Sequence, residues 1–132
     1  MGTRLFVYGS LMSGQPNHGH LRGARLVRVA HTEPHFTLLD LGPYPALVPA
    51  GSTSVRGEVY DIEDGVLSAV DRFEGHPDFY RRELIALRGG SQVAAYVLPA
   101  PGGAGQKVIT SGDWRERRVI RPSSGRAFRR SR

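Results

Sequence analysis

The 132-residue chain contains no cysteine. Disulfides, thiolate metal sites and cysteine nucleophiles are therefore excluded, and the composition is compatible with a reducing compartment. The chain also lacks an apolar run approaching the ~18 residues that a membrane span needs, and its N-terminus shows no charged region followed by a long apolar one. These absences predict a soluble, cytoplasmic protein with no membrane partner.

The chain has no net basic charge outside its last fifth. Residues 1–106 hold nine arginines against ten acidic residues, whereas residues 107–132 hold Lys107 and eight arginines against Asp113 and Glu116. The formal net charge of +6 is thus a property of the C-terminal part, and residues 126–132 are typical of a solvated end. Such a tail touches phosphates without specificity, so we predict no specific nucleic-acid partner.

The size and pattern of the chain favour one domain built mainly of strands. With 39% hydrophobic residues, 132 residues suffice for a single core. Apolar and branched residues cluster or alternate in strand fashion between Gly- and Pro-rich turns, which include 42–45, 51–54 and 89–91. The predicted strands are 5–8, 24–32, 36–41, 46–49, 55–62, 79–87 and 92–98.

One helix is predicted over residues 64–74, with short helical pieces after Asn17 and Asp113. Asp64 is a candidate cap, Gly75 and Pro77 end the helix, and its apolar face is formed by Val66, Leu67, Val70 and Phe73. Glu74 falls on that same face. Burial and the negative end of the helix dipole should raise the pKa of its carboxyl, which suits a group that takes and returns a proton. Neutralisation by Arg81 or Arg82 is the equally weighted structural alternative.

The turn after the first strand is a second candidate site. Gly9 lets the chain turn sharply, so that the N–H groups of Gly9, Ser10 and Leu11 can point into a cavity and hold an anion or a developing oxyanion. A tight turn without a ligand is the alternative. Gly57, inside a predicted strand, indicates the close approach of another backbone or a ligand.

Histidines do not form a metal-binding pattern in this sequence. No carboxylate follows His18 and His20 at ligand spacing, and Pro34 prevents His31 and His35 from forming a helical pair. We therefore predict neither a metal nor a cofactor.

Five motifs, taken in order over residues 4–114, resemble the γ-glutamylcyclotransferase-like proteins, and most closely their γ-glutamylamine cyclotransferase branch. Where that branch usually carries Thr and then a basic residue, this chain has Ser10 and then Met12-Ser13. The resemblance therefore does not identify the amine. The motifs are Phe6-Val7-Tyr8-Gly9-Ser10-Leu11, Gly14-Gln15-Pro16-Asn17, Gly42-Pro43-Tyr44-Pro45-Ala46-Leu47-Val48, Gly57-Glu58-Val59-Tyr60 and Phe73-Glu74-Gly75-His76-Pro77-Asp78-Phe79-Tyr80-Arg81-Arg82.

The resemblance implies an α+β fold, a small mixed β-barrel flanked by a few short helices, over residues 1–114. Residues 115–132 would then be a basic, partly disordered tail. Tyr8, Gly9, Ser10 and Leu11 would form the floor of the substrate cavity, and Glu74 would be the catalytic proton shuttle. Tyr44 and Tyr80, which stand in the matched motifs, are further candidate substrate contacts. The sequence does not indicate an oligomeric state.

The implied reaction converts a small γ-glutamyl amine or amide to 5-oxoproline and a free amine. The substrate's own α-amine is the nucleophile, and a well-oriented intramolecular attack is equivalent to ~10⁵ to 10⁸ M of reagent, so neither metal nor cofactor is required. Two alternatives stay open. A non-catalytic module of the same fold would bind a small metabolite or a peptide without depending on Glu74, and an RNA-associated role would depend on the basic tail.

Overall fold

The computed structural model describes residues 2–99 and 107–117. These residues form eight strands, one α-helix and two short 3₁₀ helices, His18–Leu21 and Trp114–Glu116. None of the described helices is long and apolar enough to cross a membrane. The main elements in chain order are β1 (Gly2–Val7), β2 (Arg25–His31), β3 (Phe36–Asp40), β4 (Pro45–Thr53), β5 (Arg56–Glu63), α1 (Asp64–Glu74), β6 (Arg81–Ala86), β7 (Gln92–Val97) and β8 (Lys107–Val108).

All eight strands belong to one mixed sheet in the order β2-β5-β1-β7-β4-β3-β8, with β6 also paired to β7. β1 runs antiparallel to β5 and parallel to β7. Strands flanked by neighbours on both edges are buried, so β1 and β7 supply several side chains with no exposed surface, among them Leu5, Phe6 and Val97. This sheet-dominated architecture confirms the predicted α+β class.

The predicted closed barrel is not confirmed. In the described part of the chain, β2 and β8 stand at opposite ends of the strand order and do not pair with each other. One isolated bridge between Thr32 and Leu87 brings the ends of β2 and β6 together. A single bridge is not a ladder, so the described strands form an open sheet.

The sheet splits at β7, and this split creates the candidate site. β6 covers one edge of β7, while β1 and β4 share the other edge, β1 through Leu5–Ala94 and Phe6–Ala95 and β4 through Leu47–Val97. The end of β1 therefore meets the start of β4. In this gap the Tyr8 hydroxyl donates to the Tyr96 carbonyl oxygen at 2.6 Å and accepts from the Leu47 N–H at 3.2 Å.

Helix α1 has the predicted bounds, but its buried face is narrower than predicted. Leu67 and Val70 are buried, whereas Phe73 is 42% exposed and stacks on the His20 ring with 4.0 Å between ring centroids. Phe73 is thus not a core residue. The cap residue is Glu63, not Asp64, and makes no side-chain capping bond. Gly75 ends the helix in the left-handed conformation, as predicted.

Two strand predictions need correction, and one glycine prediction is confirmed. β4 continues through Gly51, so the predicted turn at 51–54 is wrong; the pairing with β3 jumps from Phe36–Thr53 to Thr37–Val48, and the extra residues bulge. β8 was not predicted at all.

A Cβ on Gly57 would lie only 2.5 Å from Cζ of Phe6, which confirms the close approach expected there. Most of the predicted loop after Pro99 and of the basic tail lies outside the described residues.

Candidate active site

A cavity opens in the gap between the end of β1 and the start of β4, and we call it the inner cavity. It encloses about 340 Å³ between atoms, its open mouth included. Its lining brings together every residue that the sequence singled out, namely Tyr8, Gly9, Ser10, Leu11, Tyr44, Glu74 and Tyr80. Sequence reasoning did not anticipate the remaining lining residues, Phe6, Val7, Pro45 and Tyr96. For Tyr96 the chain gives no local signal, because only the pairing of β7 with β1 brings it to the cavity.

Glu74, the last residue of α1, presents an unpaired carboxyl to this cavity. Burial raises its pKa to about 7. Within the described residues it forms no ion pair: Arg81 pairs with Glu83 at 3.4 Å and Arg82 with Asp71 at 2.9 Å. The structural alternative, in which one of these arginines neutralises Glu74, therefore has no support in the geometry.

Asp71, one turn earlier on the same helix, has the opposite environment. Its two carboxylate oxygens accept from Nε and Nη2 of Arg82 at 2.9 and 3.0 Å, and the Tyr96 hydroxyl donates to it at 2.6 Å. Burial alone would raise the pKa of Asp71, but these hydrogen bonds outweigh it and hold that pKa below its usual value. Arg82 is thereby kept on Asp71 and away from Glu74.

Three tyrosines form much of the cavity wall, and each hydroxyl already has a partner. Tyr80 donates to the Pro45 carbonyl oxygen at 2.5 Å, and Tyr8 and Tyr96 are bonded as described above. Burial is the largest cause that raises the pKa of all three phenols, followed by Tyr80 for Tyr8, by Glu74 for Tyr80 and by Asp71 for Tyr96. They stay neutral at physiological pH and act as rigid walls.

The loop after β1 offers unpaired donors to the same cavity. The N–H groups of Gly9, Ser10 and Leu11 donate to no atom of the described residues. The loop is closed by the Met12 N–H on the Gly9 carbonyl at 3.0 Å and by the Asn17 N–H on the Ser10 carbonyl at 2.9 Å. Gly9 has no positive φ; it is required because a Cβ there would stand 2.6 Å from Cδ of Pro45.

An ion pair between the buried Glu58 and the exposed Arg115 holds the far side of this loop. Glu58 accepts from the Ser13 N–H and from the Tyr60 hydroxyl, both at 2.8 Å. Arg115 donates to the second Glu58 oxygen at 3.2 Å and to the Ser13 carbonyl at 2.6 Å. The second 3₁₀ helix thus clamps the loop that lines the cavity. Sequence reasoning placed Glu58 in a motif but gave it no role, because its partners Ser13 and Arg115 are 45 and 57 residues away.

A second cavity, the outer cavity, adjoins the inner one. It shares Ser10, Tyr44, Glu74 and Tyr80 with it and adds Asn17, Phe73 and Phe79, with about 510 Å³ between atoms, open solvent included. Sequence reasoning assigned Phe73 to the core and gave Phe79 no role. The signal was present, since Phe79-Tyr80 is an aromatic pair in the exposed turn after α1.

Fold and site together define a small α+β protein with a half-buried acid, unpaired among the described residues, in the wall of an open cavity. Residues 5–116 match the family model described as gamma-glutamyl cyclotransferase, AIG2-like. The chain belongs to this family.

Relatives and solved structures agree with this membership. The gamma-glutamylcyclotransferase family protein YtfP of Escherichia coli is 39% identical over 115 residues, which cover 86% of this chain and 97% of YtfP. A candidate gamma-glutamylcyclotransferase of Vibrio cholerae is 38% identical and covers 86% of this chain and 96% of its own length. The solution structure of the E. coli YtfP protein matches with a TM-score of 0.67 at 37% identity, over 86% of this chain and 96% of YtfP.

Proposed function

We propose that this protein is a γ-glutamylcyclotransferase that acts on γ-glutamyl amines or amides, releasing 5-oxoproline and the free amine, with Glu74 as general base and then general acid. The observation that carries the proposal is the unpaired Glu74 carboxyl in the inner cavity, whose pKa burial raises to about 7. A raised pKa makes the Glu74 carboxylate a stronger base than an ordinary glutamate, which narrows the pKa gap between it and the substrate's α-ammonium group.

The proposed reaction starts with the γ-glutamyl group folded in the inner cavity. Glu74 removes a proton from the α-ammonium group, and the freed amine attacks the γ-carbonyl carbon to close a five-membered ring. The carbonyl oxygen then carries negative charge, and the unpaired N–H groups of Gly9, Ser10 and Leu11 are suitable donors to it or to the α-carboxylate.

Collapse of the tetrahedral intermediate breaks the bond to the leaving nitrogen. Glu74 returns its proton to that nitrogen. The ring nitrogen, positively charged after its attack, then passes its surplus proton through the Glu74 carboxylate to the departing amine, which leaves as an ammonium ion, and the carboxylate is restored. Tyr8 and Tyr80 surround the ring as neutral walls, and Tyr44 lies at the mouth. The chemistry is redox-neutral and moves two protons from the α-nitrogen to the leaving nitrogen, each by way of Glu74.

The experiment is mass detection of 5-oxoproline released from a panel of γ-glutamyl amines and γ-glutamyl dipeptides, with wild type and Glu74→Gln compared. Glutamine is nearly isosteric but cannot shuttle the proton, so turnover should fall by ~10² to 10⁴. Glu83→Gln is the matched control, since Glu83 pairs with Arg81 on the surface. Glu74→Gln turnover within a few-fold of wild type would refute the role of Glu74, and no 5-oxoproline from any substrate would refute the activity.

A further inference from the structure

Four of the seven residues that line the outer cavity are aromatic. Phe79 stands edge-on to Tyr80 with 4.8 Å between ring centroids, and Tyr80 stands edge-on to Tyr44 at 6.4 Å. Tyr44, Phe73 and Phe79 are 39, 42 and 47% exposed, so three large rings face solvent around one opening. Contiguous exposed aromatic surface of this kind marks a binding site more often than it occurs by chance.

Charge is scarce in the described lining of the outer cavity. Glu74 is the one ionisable carboxyl there, and no Lys, Arg or His is included. Arg81 and Arg82, which follow the aromatic pair in sequence, are held by Glu83 and Asp71. Among the other polar side chains, Nδ2 of Asn17 donates to Oγ of Ser10 at 3.0 Å, and the Tyr80 hydroxyl donates to the Pro45 carbonyl oxygen.

The position of the outer cavity follows from the proposed reaction, on which this inference rests. Glu74 lines both cavities and must reach the leaving nitrogen. With the γ-glutamyl group in the inner cavity, the group attached to that nitrogen extends into the outer one.

We propose that the outer cavity binds the leaving amine. The preferred substrates are then γ-glutamyl amides of aryl-alkyl amines that carry no other charged group. Ring walls favour an aromatic group through burial and edge-to-face contacts. A leaving amino acid would bring a carboxylate that finds no cation in this lining, and a diamine would bring a distal ammonium whose only acidic partner, Glu74, is engaged in proton transfer. Burying either charge without a partner is costly.

The test compares 5-oxoproline release from four amides of γ-glutamate: the phenethylamide, the methylamide, the cadaverine amide and γ-glutamylglycine. The phenethylamide should exceed each of the others in kcat/KM by at least about tenfold, the range that apolar pocket contacts provide. Phe79→Ala and Phe73→Ala should each reduce the ratio of phenethylamide to methylamide activity severalfold. The second variant matters because Phe79 also contacts Tyr80. Leu84→Ala, at a 69% exposed position, is the control and should leave the ratio unchanged.

The outcomes separate this inference from the proposed function. Equal kcat/KM for the methylamide and the phenethylamide, or a preference for γ-glutamylglycine or the cadaverine amide, would overturn the inference and leave the cyclotransferase activity standing. If no amide yields 5-oxoproline, the proposed function fails, and binding of the phenethylamide is then measured by calorimetry. Tighter binding of the phenethylamide than of the methylamide, lost in Phe79→Ala, would support the aromatic subsite, and equal binding would overturn it.

Discussion

Glu74 and Asp71 lie one turn apart on the same helix, and their surroundings move their pKa values in opposite directions. Asp71 is ionised and held by Arg82 and Tyr96, whereas Glu74 meets apolar walls and no cation among the described residues. The division matters chemically because a carboxyl paired with arginine is a poor proton carrier at neutral pH. Because Arg82 is paired with Asp71, it does not pair with Glu74, and the Glu74 carboxyl stays free to carry a proton.

The first prediction concerns stability against pH at these two positions. The folded pKa of Glu74, about 7, lies above the usual glutamate value of 4.5, so the native state holds this proton more tightly than the unfolded chain. Its contribution is full below pH ~4.5 and is lost as pH rises through ~7. The free energy of unfolding of Glu74→Gln should therefore equal that of wild type near pH 4.5 and exceed it at pH 8 by on the order of 2 kcal/mol.

Urea unfolding of both proteins at several pH values measures this difference. Asp71→Asn supplies a control of opposite sign, because the lowered folded pKa of Asp71 gives stability that is present at neutral pH and lost on acidification. A Glu74→Gln difference that stays constant from pH 4.5 to 8 would contradict the raised pKa.

At the scale of single elements, the loop after β1 has its shape fixed from two sides. The Pro45 ring at the start of β4 packs on Gly9, and the Glu58–Arg115 pair fixes Ser13. The backbone of the loop is therefore held by its neighbours, as the proposed electrostatic stabilisation by its N–H groups would require.

Gly9→Val should abolish measurable 5-oxoproline release. A Cβ at this position would overlap the Pro45 ring, so either the loop or β4 must shift and the inner cavity narrows. Gly19→Val is the matched control, since a Cβ there meets nothing within 4 Å. Steady-state kinetics on both variants, with circular dichroism to verify folding, makes the comparison. A crystal structure of Gly9→Val with 5-oxoproline bound in an otherwise unchanged cavity would refute this account.

Arg115→Met should weaken the loop from a distance. Loss of the guanidinium leaves Oε2 of the buried Glu58 and the Ser13 carbonyl oxygen without their Arg115 donor, which costs about 1 to 3 kcal/mol. We expect faster hydrogen exchange at the Ser13 amide and a lower kcat with the same acidic pKa in the pH profile. Arg25→Met removes an exposed ion pair with Asp61 and is the control. An unchanged hydrogen-exchange rate at the Ser13 amide would show that the contacts of Arg115 do not stabilise this loop.

At the scale of the whole molecule, local patterns predicted the elements, and long-range pairing decided the site. The bounds of α1 and the close approach at Gly57 could be predicted, because capping, periodicity and a missing Cβ are local signals. The pairing of Glu58 with Arg115 could not be predicted, because the two residues are 57 positions apart in the chain. The burial of Tyr96 beside Glu74 could not be predicted either, because it depends on which strands neighbour β7. Likewise, only the bulged register of β4 carries that strand through Gly51.

Removal of residues 123–132 should leave catalysis intact. The family match ends at residue 116, and the arginines of this segment lie beyond it. Turnover of the shortened protein should stay within a factor of about two of the full chain at physiological salt, whereas any non-specific affinity for polyanions should drop. Loss of turnover after truncation would show that the tail contributes to the site.

The pH dependence of kcat/KM for 5-oxoproline release tests the central claim most directly, since it reports the ionisation of the free enzyme's essential groups. Because Glu74 must be ionised to begin the reaction, activity should fall on acidification, with an acidic limb at the pKa of about 7 that burial gives this carboxyl. A profile that stays flat down to pH 5, or an acidic limb near the usual glutamate value, would contradict the assignment of Glu74 as the proton shuttle.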